Sequence, residues 1–414
     1  MKKLLFKNFS WSIFGSSIYA LSQWLLIIII MRFGSPYDAG VYSLGLAICA
    51  PLVMLANLNF RALQSTNLSM KMGFNSFKRI RVFGLLFIIG FLFVYLVVSG
   101  YNNEIFLSLF LMALCKIIES CSDLYYGLFQ YNERLDIVSK STIFRGLFGT
   151  ISFGIAYIIT GKLTVALFIL LLVWTLNLIF YDYKKSKQFL EGSFSKKVSR
   201  DNVISLIKMG IPIGLVAFLG SLSVNIPRIV FEKYLTLEDL GYFTSIFYLI
   251  LVIGKFMTSL SSAVLPKLAR LYEEQEMKLF LKIFKVILLI LLIISSFLIL
   301  LSYYFGDDIL TILYGNEYKN YKFLLLLVMI YGSFNYFAFS LEIGLNAMRG
   351  YKFRLYIEIL ATMLVLFLSV NFIPNYGVNG GVYALIFSAL LKATLLSVLF
   401  FSKYLTTERS VQNY

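Results

Sequence analysis

The sequence predicts an all-α membrane protein: twelve transmembrane helices in two six-helix bundles of the same orientation around a central cavity. Three observations predict it. Of the 414 residues, 59% are hydrophobic and only 14% charged, too little charge to keep the surface of a soluble domain of this size in water. Apolar stretches of about 20 residues, enough to cross a bilayer as helix, recur along the whole chain. Lysine and arginine collect in alternate connections, as they do in cytoplasmic loops.

The first half places spans at 10–33, 38–60, 80–100, 105–129, 138–160 and 163–183. The second half places them at 203–231, 240–265, 282–304, 321–347, 354–373 and 379–402. The N-terminus "MKKLLFKNFSW" starts like a signal peptide. Its apolar stretch continues for about 20 residues without a small-residue cleavage site, so it reads as a retained first span. Two connections, at 31–38 and 232–240, are short. The longest polar stretch, 184–202, separates six spans from six, giving bundles at 1–190 and 203–414 with a cytoplasmic linker at 191–202.

Orientation follows from charge. The segments before the odd-numbered spans and after the last hold about 28 of the basic residues, the opposite loops about five. One missed or extra helix would invert that pattern downstream. Both termini are therefore expected in the cytoplasm. With both halves entering from the same side, a repeat would be related by an axis along the membrane normal. "DAGVYS" at 38–43 and "DLGYFT" at 239–244 echo one another at the start of the second and eighth spans. Helix N-capping by the aspartate is compatible with that echo.

The formal net charge of +16 lies in short loops rather than on one contiguous face, which argues against nucleic acid. Histidine is absent, and Cys49, Cys115 and Cys121 fall inside apolar spans. Neither a disulfide framework nor a metal or cofactor site is expected; the thiols read as small buried hydrophobes.

The informative residues are charges inside spans. Lys116, Glu119 and Asp123 follow one another at i, i+3 and i+7 and so share one helix face. A charge at the bilayer centre costs about 3 kcal/mol, so that face meets a cavity or another polar helix rather than lipid. One reading is a Lys116–Glu119 pair that fixes packing, with Asp123 reaching towards the cytoplasm. The other is a cavity wall, supported by Lys255 and Lys392 at comparable depth in the eighth and twelfth spans. Arg228 follows Pro227 near the outer end of the seventh span, which also holds Pro212; it is a cavity residue or an interfacial one. Glu342, in the inner third of the tenth span, is expected to pair with a neighbouring Lys or Arg. Arg61 ends the second span as a mouth residue or a positive-inside anchor. Glu119, Asp123 and Glu342 are the carboxylates available for a coupling ion. "GDD" at 306–308 admits a metal reading, but two aspartates at a helix end read better as a cap.

Four stretches carry a family resemblance: "GSPYDAGVYSLGLAICAPLVMLANLNFR", "KIIESCSDLYYGLFQYNERLDIVSKSTIFRG", "NIPRIVFEKYLTLEDLGYFTS" and "YGVNGGVYAL". Through them the chain resembles the Wzx-type O-antigen and polysaccharide flippases, of the superfamily that also holds the multidrug and toxin extrusion exporters. The resemblance implies a bacterial plasma-membrane transporter. Its substrate would be an undecaprenyl-diphosphate-linked oligosaccharide, moved by alternating access through a cationic lumen, with ion coupling in some members. It implies membrane lipids and other polysaccharide-assembly proteins as partners. Lys116, Glu119, Asp123, Arg228, Lys255 and Lys392 would line the path. A multidrug-type exporter, which would favour a carboxylate-dominated cavity, is the first alternative. A membrane polymerase or glycosyltransferase is the second, disfavoured by short outer loops, the longest being 304–322.

Overall fold

The computed structural model describes residues 2–65, 72–190, 199–350 and 353–412; the side chains of 2–9, 255, 256, 258–263 and 407–412 lie outside the description. Among the described residues, eleven helices are long and apolar enough to cross a membrane. They are α1 (Lys2–Phe33), α2 (Pro36–Asn57), α3 (Phe74–Val98), α4 (Asn103–Tyr131), α5 (Leu135–Thr160), α6 (Leu163–Asn177), α7 (Arg200–Tyr234), α8 (Leu237–Glu273), α9 (Met277–Tyr314), α10 (Lys322–Ala347) and the stretch Arg354–Gln412. That last stretch is broken at Gly377, whose φ of 56° and ψ of −137° no helix contains and a residue with a side chain rarely adopts. It therefore divides into α11 (354–376) and α12 (378–412), which brings the spans among the described residues to the expected twelve. The chain is a multi-pass membrane protein.

Local chemistry sets the helix starts. Ser35 accepts the Asp38 amide and Pro36 occupies the first turn of α2. Asn102 accepts the Ile105 amide at the start of α4. Thr236 and Asp239 form a reciprocal capping box at the start of α8. The two echoed segments therefore share a hydroxyl cap three residues before an aspartate. They differ in the second half of the motif: Asp38 accepts from Tyr157 of α5 at 2.5 Å instead of closing a box.

Several elements run beyond their expected limits. α9 reaches Tyr314, and a 3-10 turn, Asn316–Tyr321, follows it directly. The supposed outer loop at 304–322 is thus mostly helix, because Leu310, Tyr314 and Tyr318 are buried and pull it onto the core. Asp307 and Asp308 accordingly sit inside α9 rather than capping it, and Asp307 pairs with Lys322 at 3.2 Å. α6 continues through a π-helical turn, Leu178–Tyr183, to Phe189. Of the expected linker, residues 191–198 lie outside the described residues.

The chain forms two compact units, Met1–Asn225 and Ile226–Tyr414, which part within α7. In the first, α1 lies along α5, α2 along α4, and α6 against both α4 and α5. Small residues permit this approach: a Cβ on Gly146 would press on Ser22, and one on Gly15 on the Ser139 backbone. The start of α7 adds Leu206 to a core of Phe60, Phe74, Phe77, Leu124 and Leu128. In the second unit α10 is the central helix, packed by α8, α9 and the α11–α12 stretch. Phe284 of α9 stacks on Phe400 of α12 at 4.4 Å between ring centres.

Candidate functional site

Helix α4 carries its polar face because Lys116, Glu119 and Asp123 recur at helical spacing, and the first unit supplies a partner for each. Lys116 Nζ donates to Glu119 Oε2 at 2.8 Å. The pair does not close on itself. Glu119 Oε1 also accepts from Tyr19 of α1 at 2.5 Å and from Arg145 Nη2 of α5 at 3.2 Å. Arg145, only 3% exposed, lies among three rings: Tyr19 at 4.8 Å, Trp174 at 5.3 Å and Tyr126 at 5.8 Å. A guanidinium over aromatic faces keeps much of the stabilisation it loses with water.

One turn along α4, Asp123 lies 3.3 Å from Arg61 and 3.7 Å from Arg81. Arg81 is 1% exposed, and its Nη1 also donates to the Ser120 carbonyl at 3.1 Å and to Asn57. Arg61 is about a third exposed and reaches Gln130 at 3.2 Å. Asp123 does not simply reach for the cytoplasm: two arginines from other elements hold it.

The second unit builds its own network. Lys392 of α12 sits between Glu342 at 2.8 Å and Glu358 at 2.6 Å, and Arg354 donates to the other Glu342 oxygen at 2.7 Å. Glu342 thus pairs with both a lysine and an arginine. Arg228 is buried against Phe247 and Phe243, at 5.1 and 5.9 Å from the ring centres. Its guanidinium thus lies in an aromatic pocket. Lys255 lies on α8, with its side chain outside those described.

The structure therefore joins Lys116 with Glu119, Asp123 with Arg61, and Glu342 with Lys392. Sequence reasoning missed the partners Arg81, Arg145, Arg354, Glu358 and Tyr19, of which Arg81, Arg145 and Glu358 are buried. The first three stand in basic segments that look like ordinary cytoplasmic anchors, and the hydroxyl of Tyr19 carries no charge to mark it. In the first unit the charges named are Lys116, Arg61, Arg81 and Arg145 against Glu119 and Asp123. In the second they are Arg228, Arg354 and Lys392 against Glu342 and Glu358. The first set has more cations than carboxylates, whereas in the second the ion-paired charges balance and Arg228 stands apart from them.

A family model described as "Polysaccharide biosynthesis protein" matches residues 5–272. The capsular polysaccharide biosynthesis protein CapF of Staphylococcus aureus is 28% identical over 401 residues, covering 96% of this chain and 99% of CapF. Among solved structures, an inward-facing multidrug resistance MATE family transporter of the MOP superfamily superposes with a TM-score of 0.70 at 14% identity, over 94% of this chain and 95% of its own. A mutant of the Vibrio cholerae MATE transporter VcmN gives 0.67 at 13% identity, over 99% and 97%. At such identities the likeness is one of fold.

Proposed function

We propose, from the premise that this chain belongs to the polysaccharide biosynthesis protein family, that it is a transporter flipping an undecaprenyl-diphosphate-linked oligosaccharide across the bacterial plasma membrane. Transport proceeds by alternating access through a cationic cavity, with both termini in the cytoplasm. The observation that carries this reading is the excess of cations over carboxylates in the first unit's polar network, where Lys116, Arg61, Arg81 and Arg145 meet Glu119 and Asp123. A sugar diphosphate is a polyanion, and guanidinium forks match phosphate oxygens. The lipid tail never needs to leave the bilayer, so only the headgroup requires a polar route.

Lys116, Arg61, Arg228 and Lys392 are assigned to the path, and Lys255 with them. Glu119, Asp123 and Glu342 hold these cations in place, a role that leaves them less free to bind a coupling ion. Other polysaccharide-assembly membrane proteins would supply the substrate and consume the product. A multidrug-type exporter shares the fold, but organic cations would be repelled by the cationic surplus of the first unit's network.

The test is reconstitution. Vesicles holding the purified protein should bring undecaprenyl-diphosphate-linked repeat units to the opposite leaflet, where an external glycosidase reaches them. In cells, Lys116→Ala should abolish surface polysaccharide at an unchanged membrane level of the protein. Reporters fused at Leu190 and Asn316 should read opposite sides of the membrane. Normal sidedness of the lipid in protein-free and protein-containing vesicles alike would defeat the proposal.

A further inference from the structure

The segment "KRIR" divides its two arginines between opposite faces of α3. Arg81 is buried against Ser120 and Asp123, whereas Arg79, about 200° round the helix, is exposed. Arg79 heads a row of exposed rings one turn apart, Phe83, Phe87 and Phe91. This row borders a groove of about 900 Å³ that lies within the first unit. Leu52 and Leu55 of α2 and Val203 and Ile207 of α7 also line it. So does Arg200, the first residue of α7. The two arginines are the polar side chains among its described lining residues. Arg79 rests near the Phe83 ring at 5.9 Å, and among the described residues neither guanidinium has a carboxylate partner.

We propose that this groove binds one anionic diacyl glycerophospholipid, with its phosphate on Arg79 and Arg200 and its acyl chains along Phe83, Phe87 and Phe91. An apolar wall in a bilayer accepts any acyl chain, so selection falls to the two guanidiniums at the N-terminal ends of α3 and α7. Their forked donors match phosphate oxygens, and basic pockets between spans hold anionic headgroups in this way. The dimensions agree. From Arg79 to Phe91 the helix rises about 18 Å, close to the depth of one leaflet of a hydrocarbon core about 30 Å thick. On the orientation proposed above, that leaflet is the inner one.

The occupant is not the transported lipid. A polyprenyl chain would overrun a groove one leaflet deep. Its diphosphate at Arg79 would also lie across α3 from Arg81 and Asp123, away from the first unit's polar network. The site therefore goes beyond the transport reading and does not depend on it. Its structural consequence concerns α7, which begins in the first unit and ends in the second. Gly210 and Gly214 bring α7 close to Leu58, at the end of α2, while the groove is lined by both α7 and α3. A lipid seated there braces the start of α7 against α3.

The experiment is native mass spectrometry of the full-length protein released from phosphatidylcholine nanodiscs doped with phosphatidylglycerol of the same acyl chains. The wild type should retain one phosphatidylglycerol in preference to phosphatidylcholine. Arg79→Gln and Arg200→Gln should each weaken that retention about fivefold, as one basic residue at a lipid surface contributes. Lys78→Gln, exposed but outside the groove, should leave it unchanged. Val203→Trp, which fills the acyl space with both arginines in place, should release the lipid. Melting curves in detergent without phosphatidylglycerol should match for the wild type and the two arginine variants, separating lost binding from lost folding. No preference in the wild type, or a preference that survives both arginine changes together, would reduce the groove to ordinary annular contact and overturn the site. Retention in Val203→Trp would overturn the groove as its location. Displacement of phosphatidylglycerol by equimolar undecaprenyl phosphate would overturn the choice of occupant and make this a substrate-tail site. Failure of the flipping assay would leave all of these binding results standing, so the two readings fail separately.

Discussion

Arg145 Nη2 of α5 donates to Glu119 Oε1 of α4 across 3.2 Å, while its guanidinium plane rests on Tyr19 of α1 and Trp174 of α6. One side chain therefore ties four helices of the first unit together. The i, i+3 pair of Lys116 and Glu119 that is visible in the sequence is only its exposed edge.

Replacing Arg145 should therefore cost far more than an ordinary helix charge. Arg145→Ala leaves Glu119 with Lys116 as its one ion-pair partner beside the Tyr19 hydroxyl, and opens a gap among three rings. Breaking a buried pair in this way costs about 3 kcal/mol or more. Arg145→Lys keeps the charge but loses the planar stack, and should fall between wild type and alanine. Thermal unfolding in detergent, followed by the protein's own tryptophan fluorescence, would give that order. Equal stability of Arg145→Ala and wild type would show that the contact carries no load.

In the second unit the prediction concerns an imbalance. Lys392 stands between Glu342 and Glu358, whose side chains are 8% and 4% exposed. Lys392→Met leaves two buried carboxylates with only Arg354 for compensation, so folded protein in the membrane should drop sharply. Adding Glu358→Gln removes one of the two orphaned charges and should recover at least half of the loss. A double variant worse than the single one would mean that the lysine acts through packing and not charge.

The spans were legible because hydrophobic length is a property of each segment alone. The partners of the charges were not, because an ion pair is a property of two distant segments. Arg81 stands in "KRIR", Arg145 in "TIFRG" and Arg354 in "YKFR", each just inside a stretch that reads as a cytoplasmic anchor. The rule that assigned orientation therefore absorbed the residues that answer Asp123, Glu119 and Glu342. Asp182, a carboxylate buried in the π-helical turn Leu178–Tyr183, was hidden in the same way, just before the lysine pair of "YDYKK", where a carboxylate looks interfacial. The π turn that draws it inward leaves no pattern in the sequence. The kink at Gly377 was half legible: "YGVNGG" interrupts the apolar run, but only the backbone shows which glycine bends.

The two arginines that share Asp123 should separate stability from transport. Arg61 is about a third exposed, and removing an exposed ion pair changes stability by at most about 1 kcal/mol. Arg61→Ala should therefore reach the membrane at wild-type level while surface polysaccharide falls. Arg81→Ala removes a buried guanidinium bound to Asn57 and Ser120, and should instead lower the protein level itself. Quantitative blots of membrane fractions beside polysaccharide stains distinguish the two. Normal polysaccharide in Arg61→Ala would remove Arg61 from the path.

The break between α11 and α12 rests on a close approach of main chain to main chain. A Cβ on Gly380 would strike the Phe372 carbonyl, and backbone cannot swing aside as a long side chain can. Gly380→Ala should therefore strain the turn, at a cost of about 1–3 kcal/mol for overpacking. Gly90 of α3 makes the opposite case, since nothing stands within 4 Å of the added methyl. There the substitution should stabilise the helix slightly, by roughly 0.5–1 kcal/mol, through reduced backbone entropy. Parallel melting curves for the two variants test the pair. If Gly380→Ala melts with the wild type, the close approach at Phe372 is not what sets the bend.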